Sequence, residues 1–320
     1  MNCIRICGLA AAMVFAVTQA HAQILFSDDF DDGAAAARWT APIDSQESAP
    51  ADWTVDYAFD YSAVINAKGP NIGLPIPSAP NSVGGSTTGI YMTANNTDQC
   101  PGLACDPIDD VNEGESVGIV SLFDLPAGQN YKVTADVYSF WNGNGGSTEY
   151  AAFGVNHDRS DAVPFRFGLD DGSGLAWQAD TDGDSGTDII KFDSSSGQTG
   201  LGGWEDIPDG TVPGVSTGAA GEIGLFTGGW VEFEITVANG VSRFSINGAE
   251  IDTNSNPFSG GGVLLSHADP FNSVNDACIA CGGFTNGTIW DNVVVMVIPE
   301  PSTVMLGCLG LAALGLRRRV

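Results

Sequence analysis

Between Val231 and Val237 apolar and polar residues alternate without a fault, as Val-Glu-Phe-Glu-Ile-Thr-Val. Successive side chains of a strand point to opposite faces, so this segment reads as a strand with one buried and one wet face. Asn239-Gly240 follows, a pair that accepts the left-handed backbone of a two-residue hairpin turn. Val241 to Ile246 then reads as the partner strand, and Asn247-Gly248 turns the chain again into Ala249 to Thr253. The product is an antiparallel meander.

Runs of the same character recur at Trp53 to Tyr57, Thr88 to Thr93, Val117 to Phe123, Tyr131 to Trp141, Glu149 to Asn156, Gly174 to Asp180, Ile189 to Asp193 and Ile289 to Met296. Long amphipathic helical patterns are almost absent, while glycine, small polar, β-branched and aromatic residues abound. Short strands at this density predict an all-β antiparallel sandwich. Ile43 to Pro50 and Ala67 to Gly85 read as long insertions rich in Pro, Ser, Gly and Asn. No internal repeat divides the body, which is read as one domain over residues 23–298.

The two ends stand apart from this body. Arg5 precedes the apolar run Ile6 to Val17, and Ala20-His21-Ala22 offers small residues to a signal peptidase. Residues 1–22 therefore read as a secretory signal peptide, with a mature start at Gln23. At the other end Pro299-Glu300-Pro301-Ser302-Thr303 leads into the apolar stretch Val304 to Leu316, closed by Arg317-Arg318-Arg319. This three-part pattern, residues 299–320, resembles the PEP-CTERM sorting signal. As a short apolar helix, Ser302 to Leu316 would span about 22 Å, less than the roughly 30 Å hydrocarbon core, so its stay in the inner membrane is expected to be transient. The positive-inside bias keeps the arginines cytoplasmic and leaves Pro299 to Pro301 near the outer face. The resemblance implies cleavage there by an exosortase and delivery to the cell surface or extracellular matrix.

Setting aside Arg5, Glu300 and the three terminal arginines leaves 38 acidic and 7 basic residues, a net charge near −31. Such a field repels phosphate backbones and anionic lipid surfaces, which excludes nucleic acid as a partner. Two readings of the acidity stand: a solvated, soluble surface, and dispersed divalent-cation sites.

A second resemblance concerns the fold. Leu25-Phe26-Ser27-Asp28-Asp29-Phe30-Asp31-Asp32-Gly33 and Ile289-Trp290-Asp291-Asn292-Val293-Val294-Val295 are similar to the terminal strands of concanavalin A-like jelly-roll domains. Gly228-Gly229-Trp230 ahead of the 231–248 hairpin, and Asp269 to Val274, fit the same pattern. The resemblance implies adjacent first and last strands, and it bears on fold rather than activity.

Four cysteines lie in the mature body, as Cys100–Cys105 and Cys278–Cys281. In an oxidising compartment the even count argues for two disulfides, with three connectivities open and local pairing the simplest. Asp180-Thr181-Asp182-Gly183-Asp184-Ser185-Gly186-Thr187-Asp188 places Asp180, Asp182, Asp184 and Asp188 in a glycine-kinked loop, where carboxylates can converge on Ca²⁺. The segment lacks the closing Glu of an EF-hand loop, and Asp and Gly are also what a hairpin turn needs. Asp109-Asp110 with Glu113 and Glu115 is a lesser candidate.

No nucleophile motif surrounds any serine, so an enzyme reading depends on paired carboxylates. Glu250-Ile251-Asp252 lacks the third carboxylate of the concanavalin A-like glycosidase strand, and Glu232 with Glu234 fits the wet face of an amphipathic strand. No catalytic residue is therefore assigned, and a glycoside hydrolase or lyase is the alternative. The preferred reading is a non-catalytic protein that binds or scaffolds surface or matrix polysaccharide. Trp39, Trp141, Trp177 and Trp204 are the aromatic candidates for stacking on a sugar, and Trp141 beside Asn142 and Asn144 is the first to test.

Overall fold

The computed structural model describes residues 22–46, 53–65, 73–94, 115–141, 149–160, 162–164, 173–180, 189–201, 229–269 and 286–299. Fifteen strands run through them: β1 (Gln23–Asp28), β2 (Ile43–Gln46), β3 (Thr54–Asp60), β4 (Thr88–Thr93), β5 (Glu115–Val120), β6 (Tyr131–Trp141), β7 (Tyr150–His157), β8 (Leu175–Asp180), β9 (Ile189–Asp193), β10 (Gly197–Gly200), β11 (Trp230–Ala238), β12 (Val241–Ile246), β13 (Ala249–Ser255), β14 (Gly262–Asp269) and β15 (Asn286–Val297). They form two sheets whose described ladders are all antiparallel. One has the order β13-β12-β11-β6-β15-β4-β3, with β1 also paired to β15; the other has the order β10-β9-β8-β7-β14-β5-β2. The all-β antiparallel sandwich is what the sequence predicts, and the pairing of first and last strands is what the concanavalin A-like jelly-roll resemblance implies.

The inner faces meet in one apolar core. Phe153 and Trp177 come from one sheet, and Phe233, Phe244 and Trp290 from the other. The meander forms as expected: β11 alternates buried and half-buried residues along its whole length. Both of its turns place Asn and then Gly at positive φ, 54° and 73° at Asn239-Gly240 and 49° and 79° at Asn247-Gly248. That is the type I′ geometry whose twist matches the flanking strands.

Three expectations need correction. The strand expected over Val117 to Phe123 runs instead from Glu115 to Val120, and the chain then leaves the sheet at Leu122. Ile43 to Gln46, expected within an insertion, is the edge strand β2, held by β5. Strand β14, all eight of whose residues are buried, is absent from the strands the sequence predicts. The insertion around Ala67 to Gly85 does leave the sheets. Its described part, from Gly73, crosses the outer face of the eight-stranded sheet, where Ile76 packs with Tyr61, Tyr138 and Ile289. The C-terminal apolar segment lies outside the described residues.

Candidate functional site at the loop-bearing end

Described residues that flank several of the segments singled out in the sequence share one end of the sandwich. Ladder partners Asp269–Glu115, Ala268–Tyr150 and Tyr150–Asp180 bring together the end of β14, the starts of β5 and β7 and the end of β8. In the facing sheet Asn286 pairs with Trp141 and Thr288 with Met92. His267 Nδ1 stands 2.9 Å from Thr288 Oγ1 and ties the two sheets together there. The backbone of Trp141 and all of Asp180 therefore sit at the same end. Asn142, Asn144, Asp182, Asp184, Asp188 and the four cysteines lie outside the described residues, as does the side chain of Trp141. Asp180 is buried and alternates to the outer face with Tyr150, away from the core residues Ala179 and Ala151. Glu115 is a buried residue of β5.

Inside this end the apolar core gives way to polar groups. Val263 and Leu265 face the core, so alternation sends His267 the same way, fully buried. Its Nε2 has no hydrogen-bond partner and lies 3.7 Å from Oε2 of the equally buried Glu149, too far for a hydrogen bond. Burial pushes the imidazole down to about 3, so the ring is neutral at ordinary pH. Among the described residues, no three His, Cys, Asp or Glu side chains are placed to hold a metal ion.

The carboxylates weighed for hydrolysis are engaged elsewhere. Asp252 Oδ2 accepts the Trp177 indole N–H at 2.9 Å and pairs with Lys191 at 3.2 Å, closing the sandwich between β13 and β8–β9. Glu250 is exposed beside Arg243. Glu234 pairs with Lys132 at 2.8 Å. Trp39 and Trp177 are fully buried core residues and present no face to a sugar, whereas Trp204 lies outside the described residues.

A second polar cluster escaped the sequence reading. Strand β15 carries a bulge after Asp291, so one extra residue sits opposite β6. Trp290 and Val293 both face the core, which leaves Asp291 and Asn292 in succession on the outer face. Asn292 takes φ 51°, a left-handed value that Asn tolerates better than most residues. Asp136 is the ladder partner of both Asp291 and Glu232, so three carboxylates stand in a row across β15, β6 and β11. Neutral donors answer them. Asp136 accepts from the Asn81 backbone at 3.1 Å, the Asn81 amide at 2.8 Å and the Asn292 amide at 2.9 Å. Asp291 accepts from Tyr61 Oη at 2.9 Å, Ser82 Oγ at 3.2 Å and its neighbour's backbone N–H at 2.7 Å. Asn81 also reaches Glu232 at 3.3 Å, so the outer face expected to be wet is covered there. Burial pushes Asp291 up to about 7 and raises Asp136 and Glu232 as well. The one signal in the sequence was Asp291-Asn292, two successive polar residues within the apolar β15; Asp136 falls on the regular polar alternation of β6.

No curated protein matches the chain in sequence. Among solved structures, a Bacillus subtilis protein of unknown function with a galectin-like fold is similar at 8% identity and TM-score 0.40, over 87% of this chain and 100% of that one. The carbohydrate recognition domain of Emp47p is similar at 10% identity and TM-score 0.37, over 82% and 98%. A GlcNAcα1-4Gal-releasing endo-β-galactosidase from Clostridium perfringens is similar at 11% identity and TM-score 0.39, over 87% and 63%. At this level of similarity the three assign this chain no ligand and no chemistry. The C-terminus is specific: residues 297–319 match the PEP-CTERM protein-sorting motif, which begins at the last residue of β15.

Proposed function

We propose that the protein is an exported component of the bacterial surface or its polysaccharide matrix, trimmed by a signal peptidase after Ala22 and by an exosortase at Pro299 to Pro301, and that it binds or scaffolds glycan without cleaving it. The observation that carries this reading is where the sorting motif begins. Strand β15 ends at Val297, and its ladder partner there is Gln23, the expected mature start. Cuts at both places leave every core strand whole. Both cuts also fall at the end of β15 opposite Asn286, so twelve strand residues, about 40 Å at 3.3 Å each, separate them from the loop-bearing end. A tether at the C-terminus thus points the Trp141 and Asp180 end outward. Replacing Arg317, Arg318 and Arg319 by alanine is expected to leave the protein unprocessed in cell fractions, and normal trimming of that variant would sink the sorting assignment.

Glycan recognition rests on the turn-rich end beside Trp141, where an aromatic ring and the Asn142 and Asn144 amides suit a sugar's apolar face and hydroxyls. The test is a glycan array probed with the exported protein, with calcium and then with chelator. Trp141→Ala is expected to lower binding about tenfold, the effect of losing roughly 1.4 kcal/mol of stacking and burial. Loss of binding on chelation is the expected result for a cation at Asp180 to Asp188. Unchanged binding by Trp141→Ala removes this residue from the site, and cleavage of the arrayed glycans overturns the non-catalytic reading.

A further inference from the structure

The strap between Gly73 and Thr87 lies over a floor unlike the rest of the outer surface. Tyr138, Trp230 and Ile289 form it, and Trp230 meets Tyr138 and Tyr61 edge-on with ring centroids 5.2 and 5.4 Å apart. Trp230 Nε1 donates to the strap carbonyl of Pro77 at 2.8 Å. Beside these rings stand Glu232, Asp136 and Asp291, on strands about 5 Å apart. What covers them is an amide from Asn81 and hydroxyls from Tyr61 and Ser82. A sugar ring offers the same set: hydroxyl donors on its rim and an apolar face for an aromatic ring.

We propose that this strap is a latch, tight in acid and loosened toward neutral pH, over a concealed binding floor for a saccharide. The ligand class rests on the glycan-binding reading above; the latch does not. The charges nearest Asp291 are Asp136 from β6 and, beyond it, Glu232 from β11, with the Tyr61 hydroxyl from the turn after β3. The nearby cation Lys132 is paired with Glu234. Asp31 is held against Ser86, and Asp60 accepts from Ser62 and Thr87. With a proton on Asp291, Tyr61 can turn its hydroxyl to the Ser86 carbonyl, 3.3 Å away, and accept from the carboxyl. Without it, a further negative charge stands beside Asp136, both side chains being buried under the strap. Burial raises all three carboxyls in the closed form. Lifted, they return toward ordinary carboxylate behaviour.

The closed form thus binds protons more tightly than the open one. Closing is most favoured below about pH 4, weakens as pH rises to about 7, and is level above that. For Asp291 alone the opening constant rises roughly tenfold per pH unit, up to about a thousand-fold in all.

The test is amide hydrogen exchange of the purified exported protein from pH 4 to 9, corrected for base-catalysed exchange. The Asn81 and Ile76 amides are followed against the Leu265 amide of β14. Expected are strap protection that falls with pH up to about 7 and then levels, and a much shallower profile in Asp291→Asn, where only Asp136 and Glu232 are left to titrate. Protection independent of pH in the parent, or an unchanged slope in Asp291→Asn, overturns the latch. Should that variant not fold, Tyr61→Phe serves: it removes one donor, and lower protection with the slope retained is the supporting result. For the floor, Asn81→Ala is expected to bind glycan at pH 5 more strongly than the parent. An opened strap that gains no glycan at any pH overturns the floor, while the loop-end site is judged separately by Trp141→Ala.

Discussion

Alanine at Trp290 is expected to cost about 3–5 kcal/mol of stability, read as a fall in the urea midpoint with an unchanged slope. The ring is fully buried and joins the two sheets: it stacks on Phe153 of β7 at 5.9 Å and meets Phe233 of β11 edge-on at 5.9 Å. It also sits in β15, the strand that pairs with β1, β4 and β6, so a hole there has no flexible neighbour to collapse into it. Against a total stability of about 5–15 kcal/mol, the loss leaves the variant marginal. A second substitution separates packing from polarity. Trp290 Nε1 is buried with no hydrogen-bond partner, so Trp290→Phe keeps most of the ring while removing an unsatisfied donor. It is expected to cost under about 1.5 kcal/mol. Equal costs for the two variants would show that the indole nitrogen, not the packing, matters.

Strands whose apolar runs are bounded by turn chemistry were legible, whether one face is half-exposed, as in Val241 to Ile246, or both are covered, as in Ile189 to Asp193. Tyr131 to Trp141, Ile189 to Asp193 and Val241 to Ile246 begin and end where the sequence places them. Strand β14 is hidden less by its burial, which β7 and β8 share, than by its flank: Gly260, Gly261 and Gly262 lead into it and carry the signature of a loop. Strand β2 was hidden for another reason. It is four residues long and pairs on one side only, which leaves it little pattern to display.

The candidate site was legible as a set of segments but not as a place. Trp141 and Asp180 lie 39 positions apart in the sequence, and only the ladders through β7 and β15 bring both to one end. His267 carries no signal in the sequence, because its meaning depends on Glu149 and Thr288 across two sheets. The carboxylate row was less accessible still. It needs the bulge at Asp291, and a bulge is one extra residue that no periodicity announces.

Asp28 gives the second large effect, and it shows how an acid-rich sequence can mislead. In Asp28-Asp29-Phe30-Asp31-Asp32 the acids look alike, yet the side chain of Asp28 is fully buried. It accepts from Arg38 Nε and Nη2 at 2.7 Å each, from Trp39 Nε1 at 2.8 Å and from the Phe30 backbone at 3.0 Å. That last bond helps hold Phe30 at φ 60°, an unfavoured value for an aromatic residue whose side chain must still enter the core. Removing the carboxylate strands a buried indole N–H and releases the turn. It also leaves the guanidinium with only Asp32, an exposed partner. Asp28→Ala is expected to cost about 3–5 kcal/mol, the range for breaking a buried pair from one side. Asp28→Asn, which keeps acceptor oxygen at the turn, is expected to cost less. Replacing the pair together, Asp28→Leu with Arg38→Met, is expected to be milder than Asp28→Ala, because no charge is then left behind. Urea midpoints of the three variants decide it. A double variant as unstable as Asp28→Ala would mean that the pair itself, rather than the stranded partner, supplies the stability.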